Sequence, residues 1–303
     1  MGTETPAPTT EEMTAGPRNG ITMEKIEEKL KDLNKVKSPR EANEEGEVIE
    51  GLDFDFQDWS GGDSKMLRVK PGSDGVIIRR CRFRNKSNKD PALVIADSKN
   101  VVVEDCIFEN MKGEDKREAI RIGDSKESGL SLKCTVRRCI FRNNSGDPEI
   151  ISIKSAKNIV EDCFFINNDG MVTVRHGGLT EIRHNYFKGK NGARILGYGN
   201  LVEYNRFEDN SATDEQKKRA PISLWWGGED KDPNWDWEDQ DKGISRPSGK
   251  KGSSTHAEYA RTVDTVIKGN EFKNCKTTIV IFRSKDEHDK KPMNTTEENN
   301  KIL

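Results

Sequence analysis

The sequence predicts an all-β chain: a single-domain right-handed parallel β-helix with a short N-terminal capping helix. Three observations predict it. A strand motif occurs seven times with the same two residue columns. Each return is followed by a second strand-like segment, with no helix between them. The chain is 32% hydrophobic and 34% charged, too little apolar content for one compact globule but enough for a long, thin core.

Residues 1–21 are rich in Pro, Thr, Glu and Gly, a composition that favours disorder. In TMEKIEEKLKDLNKV (22–36), Met23, Ile26, Leu30 and Leu33 recur at helical spacing, with Thr22 as the N-cap. This helix and its linker, residues 22–47, are expected to cover the open end of the stack, because solenoids need closed termini.

The repeats fill residues 48–284. VIIRRCRFRN (76–85) returns as VVVEDCIFEN, TVRRCIFRN, IVEDCFFINN, EIRHNYFKG, LVEYNRFEDN and VIKGNEFKN. One column reads Cys81, Cys106, Cys139, Cys163, Asn185, Asn205, Asn270. Two residues on, the other reads Phe83, Phe108, Phe141, Phe165, Phe187, Phe207, Phe272. The cysteines predict a ladder of small buried thiols, and the asparagines a stacked amide ladder inside the coil. The second strands include AIRIGDS, IISIKSA, MVTVRHG, ARILGYG and PISLWWG. The longest excursion, 227–262, carries Trp235 and Trp237 among acidic residues. Residues 285–303 form a polar tail, expected to be disordered.

A net charge of −2 excludes a broadly basic nucleic-acid binder. No apolar run is long enough to span a membrane, and MGTETPAPTTEEM lacks the apolar stretch of a secretion signal. Either the protein stays inside the cell or a leader has been removed. A monomer is expected.

The chemistry concentrates in DPEIISIKSAKNIVEDCFFINNDGMVTVRHG (147–177). IISIK aligns without a gap over MVTVR, so Lys154 and Arg175 share one column, about 4.8 Å apart in a parallel stack. Asp147 and Glu149 lie just upstream as compensating anions. EIISIKSAKN, the following VRHG and the later GARILG resemble polysaccharide lyase family six, the alginate lyases and chondroitinase B, over roughly residues 48–284.

The resemblance implies a right-handed parallel β-helix and β-elimination on a polyuronate, with Lys154 as Brønsted base and Arg175 as acid or stabiliser. It implies Ca²⁺ held by Asp115, Asp147 and Glu149, all oxygen donors. The family's asparagine is Asp115 here, and its first glutamate is Asp147. In a calcium-independent variant, Arg117 or Lys116 replaces the metal. His176, Arg194, Arg219, Trp225 and Tyr198 are candidate substrate contacts, with Tyr198 also a local proton donor and Trp225 a stacking platform or an apolar closure. His184 is read as structural.

Alginate is the expected substrate, with dermatan or chondroitin second. A mannuronan-type epimerase and a non-catalytic polysaccharide-binding β-helix are the alternative functions. Family members work mostly outside the cytoplasm, so the resemblance implies a secreted or periplasmic protein.

Overall fold

The computed structural model describes residues 13–113, 117–125, 130–145, 147–213, 218–228, 259–283 and 289–303. Its strands form three parallel sheets that wind as a β-helix. Sheet A has ten strands, from Asn34–Val36 to Lys301–Ile302. Sheet B has nine, from Arg40–Ala42 to Ile279–Phe282, and sheet C nine, from Val48–Glu50 to Thr296–Glu298. The chain passes from A to B to C and back to A.

Each of the three corners carries a left-handed residue. Between sheets C and A it is Arg80, Asp105 or Arg138 (φ 50–52°), and after sheet A it is Asn85, Asn110, Asn143 or Asn167. Before sheet C it is Asn100, Lys133 or Lys157. The left-handed conformation costs an ordinary residue roughly 1–2 kcal/mol, and Asn tolerates it best. The recurring Phe-x-Asn of the sequence is therefore the signature of the second corner.

The two columns read from the sequence are the core. Eight phenylalanines from Phe54 to Phe272 stack with ring centroids 4.6–5.2 Å apart. This spacing repeats the strand spacing, so each ring meets its neighbour in the offset stacking that aromatics favour. Cys81, Cys106, Cys139 and Cys163 are free and buried, and burial pushes the Cys106 and Cys163 thiols well up. The column then continues in amides: Asn185 Nδ2 donates to Asn205 Oδ1, and Asn205 Nδ2 donates to Asn270 Oδ1, both at 3.0 Å.

Several boundaries differ from expectation. The helix is short, Met23–Glu28, with Thr22 Oγ1 accepting from the Lys25 amide at 3.3 Å. It covers the flank rather than the end of the stack: Ile26 and Leu30 pack on Ile107, Ile140 and Phe164. These are apolar residues on the outer face of sheet A, which would otherwise meet water. The first coil begins at Asn34, inside the expected linker.

Residues 13–21, expected to be disordered, are anchored: Arg18 pairs with Glu161 and Asp162, and the Gly16 amide donates to Tyr204 O. Residues 1–12 lie outside the described residues. The expected disordered tail instead builds a further coil through Thr296–Glu298 and Lys301–Ile302. There Asn300 extends the amide ladder below Asn270. No helix among the described residues is long and apolar enough to cross a membrane.

Candidate active site

The site lies on the outer face of sheet B. Lys154 follows the strand Glu149–Ile153, and Arg175 follows Met171–Val174. Ile153 is registered with Val174, and the Arg175 amide donates to Ile153 O at 2.8 Å. The two cations therefore stand one coil apart in one row, as the gapless alignment required.

The register shifts between Glu149 and Ile151, which leaves Ile150 as an extra residue in its strand. Such a bulge re-aims the side chain beside it. Here that side chain is Glu149, which is buried and forms ion pairs with two guanidiniums. Arg194, on the strand Ala193–Ile195, pairs with its Oε1, and Arg175 Nη1 lies 3.6 Å from the same oxygen. Burial alone would raise the Glu149 pKa. Arg194 and then Arg175 outweigh it and hold the carboxyl below its ordinary range.

Lys154 is only 8% exposed. Its pKa is lowered first by burial, then by Arg175 and Arg121, against the opposing charges of Glu149 and Glu118. For Arg175, burial works against the charge, but Glu149 and then Tyr259 more than offset it and raise the pKa. Tyr259 lies under the Arg175 guanidinium, 5.2 Å from its Cζ to the ring centroid. On the other hand, Glu118 is buried and pushed up to about 7, first by burial and then by Asp147.

The structure gathers Lys154, Arg175, Glu149 and Arg194 into one cluster. Arg194 is held by Glu149 and sits over the Trp225 ring at 4.6 Å. Trp225 also meets Phe282, with centroids 4.7 Å apart. His176 is buried and stacks on Tyr259 at 5.3 Å. Arg219 reaches across to Asp169 at 3.2 Å and to Pro148 O at 3.4 Å. Tyr198 belongs to the turn between sheets B and C, bridged to Gly178 and Val263. His184 stacks on Tyr204, a packing role.

Sequence reasoning missed Tyr259, Arg121 and Glu118. Tyr259 ends the long excursion, where no periodicity marks it. Arg121 and Glu118 stand in EAIRIG, one coil before IISIK, where the Lys154 column falls on Gly123 and Arg121 aligns with Ser152, so the column alignment passes Arg121 by.

Two of the three expected calcium ligands, Asp147 and Glu149, fall among the described residues. Asp115 lies outside the described residues, as does Lys116. Asp147 Oδ1 accepts from the Glu149 amide at 2.8 Å, and Glu149 Oε1 is taken by Arg194. Among the described residues, no three His, Cys, Asp or Glu side chains form a set that holds a metal. Among the described residues, Glu149 is a carboxylate bound by two arginines. Arg117, expected as a metal substitute, turns its Nε to Ser87 O at 2.8 Å.

Comparison with solved structures places the fold. A mannuronic acid specific polysaccharide family 6 lyase from human gut microbiota shares 20% identity and a TM-score of 0.59, covering 89% of this chain and 68% of that one. A PL6 alginate lyase solved with a trisaccharide shares 13% identity and a TM-score of 0.51, covering 97% and 86%. The PL6 alginate lyase AlyGC shares 17% identity and a TM-score of 0.51, covering 86% of this chain and 42% of its own. Among curated proteins no significant match is found. The model of the chondroitinase B family matches residues 18–233. With its parallel β-helix and its matched length, the chain belongs to the chondroitinase B family and is a polysaccharide lyase of family six.

Proposed function

We propose that the chain cleaves alginate by β-elimination, with Lys154 as the base. The observation that carries this reading is the buried Lys154 beside Arg175 and Arg121, its pKa lowered by burial and by both guanidiniums. A base must be neutral to accept a proton, and these surroundings favour the neutral amine.

Lys154 Nζ takes the proton from the carbon next to the uronate carboxyl. The electrons of that C–H bond form the new double bond within the ring. The bond to the 4-linked oxygen breaks, and that oxygen leaves with its electron pair. Arg175 stabilises the negative charge that develops on the carboxylate. An arginine held more firmly charged than usual is a poor acid, so its role is the stabiliser's. The proton for the leaving oxygen is assigned to the Tyr259 hydroxyl, which regains one from water as Lys154 releases its own.

Glu149 and Arg194 hold Arg175 in place, and no step runs through a metal. Calcium through Asp115, Asp147 and Glu149 is the competing arrangement, and the experiment below separates the two. The relatives named for mannuronic acid and alginate support alginate as substrate. The family's own name supports a dermatan-type glycosaminoglycan as the second reading.

The test is ultraviolet absorbance of the unsaturated product, on alginate and on dermatan sulfate, with a chelator and with calcium. A rise on alginate that survives the chelator is expected. Loss with chelator and recovery with calcium would install the metal. Silence on both polymers would overturn the lyase reading.

A further inference from the structure

We infer that a cavity spanning the three coils before that of Lys154, floored by Arg68 and Arg121, is a subsite for the carboxylate of a more distant uronate unit. The inference rests on the proposed action on a polyuronate.

The cavity measures about 370 Å³ and opens on the same face of sheet B as the Lys154–Arg175 pair. Arg68 is registered with Val94, Val94 with Arg121, and Arg121 with Ser152 beside Lys154. All four occupy one row along the axis. The row that carries Lys154 and Arg175 in later coils carries Ala96 and Gly123 here, since Ile95, Ile122 and Ile153 are registered. Small residues where the neighbouring coils have long cations are what leave the space.

No ion pair closes over the charge in this space, although Arg121 acts at longer range on the buried Glu118. Arg68 and Arg121 have no hydrogen bond or ion pair among the described residues, and both Nε atoms are buried without a partner. The arginines nearby are engaged: Arg175 and Arg194 by Glu149, Arg219 by Asp169. Lys65, which also lines the cavity, pairs with Asp90 at 3.0 Å, and Asp124 is engaged elsewhere.

Holding two partly desolvated guanidiniums without an anion is costly, and a planar carboxylate matches their fork bidentately. Coils follow each other at about 4.8 Å, close to the repeat of a 4-linked sugar chain. A polymer lying along the axis would present successive carboxylates to successive coils. The cavity therefore takes a uronate unit beyond those at the scission point, and selects for chains long enough to reach it.

The test is calorimetric titration of uronate oligomers of increasing length into the Lys154→Ala protein, with and without Arg68→Gln, alongside turnover by the wild type and by the single variant. Arg68→Gln is expected to weaken long oligomers by roughly tenfold, the usual scale of one charge-assisted hydrogen bond. Oligomers too short to span three coils are expected to bind unchanged. Ala96→Phe, which fills the cavity without removing charge, should reproduce the same length dependence. Equal loss at every length, or no loss, overturns the subsite. If the wild type yields no unsaturated product while the length dependence appears, the reaction assignment fails and the subsite stands.

Discussion

Glu149→Gln removes one charge from the centre of the site and keeps the volume. In the wild type the carboxylate is 5% exposed, Arg194 is 12% exposed and Arg175 is 24% exposed. Removing one partner of a buried ion pair costs about 3–5 kcal/mol, because the remaining charges stay desolvated. The amide still offers Arg194 one acceptor, so the lower end, about 3 kcal/mol, is expected. At about 2 °C per kcal/mol for a chain of this size, the melting temperature should fall by about 6 °C.

The pH dependence gives a second, independent sign. Glu149 has a folded pKa below its unfolded one. Its stabilisation is therefore present above the ordinary carboxylate range and is lost as pH falls through the folded value. The gap in melting temperature between wild type and variant should close on acidification. Glu149 also raises the Lys154 pKa, so the variant's rise in kcat/KM with pH should move to lower pH even as its maximum falls. Calorimetric melts across pH and initial rates by ultraviolet absorbance read both. An unchanged melting temperature with a gap independent of pH would refute the buried-pair reasoning, and a shift of the rate profile to higher pH would refute the placement of Glu149 beside Lys154.

Four further outcomes follow. Lys154→Met should lose about 10³-fold in kcat, within the usual range for a general base. Its melting temperature should hold or rise, since the lysine charge is buried beside two arginines; retained activity would remove Lys154 as base. In the wild type, kcat/KM should climb with pH and level off below the ordinary lysine value of 10.5. Tyr259→Phe should lower kcat by about 10²-fold with little change in KM, and equal changes in both would reduce Tyr259 to a binding role. Asn205→Ala should cost about 2–6 kcal/mol by leaving the Asn185 amide and Ile182 O buried without partners. A loss under 1 kcal/mol in a chemical melt would show that the ladder is redundant.

What the sequence disclosed and what it concealed divide along physical lines. Inward positions must repeat, because each ring or amide touches its counterpart one coil away. The Phe and Asn columns were therefore legible, and so was the shared row of Lys154 and Arg175. The last coil escaped because Ile302 replaces the phenylalanine, although Asn300 keeps the amide position. Asn34–Val36 escaped because three residues carry no readable alternation.

The site was half legible. Glu149 was found, but its commitment to Arg194 depends on the bulge at Ile150, which leaves no mark in composition. Tyr259 comes from the long excursion, which carries no repeat, and its ring is placed by contact with Arg175 and His176.

The strand leading to Lys154 is the fifth of nine in sheet B, and the strand leading to Arg175 is the sixth. In a solenoid each coil is supported only by its neighbours, so melting begins at the ends and travels inward like a zipper. Several coils must open from either side before the cations separate. Amide exchange should thus be slowest where the chemistry is, and heat should loosen the terminal coils while catalysis persists. The stack serves the pair at its centre as a buffer against fraying.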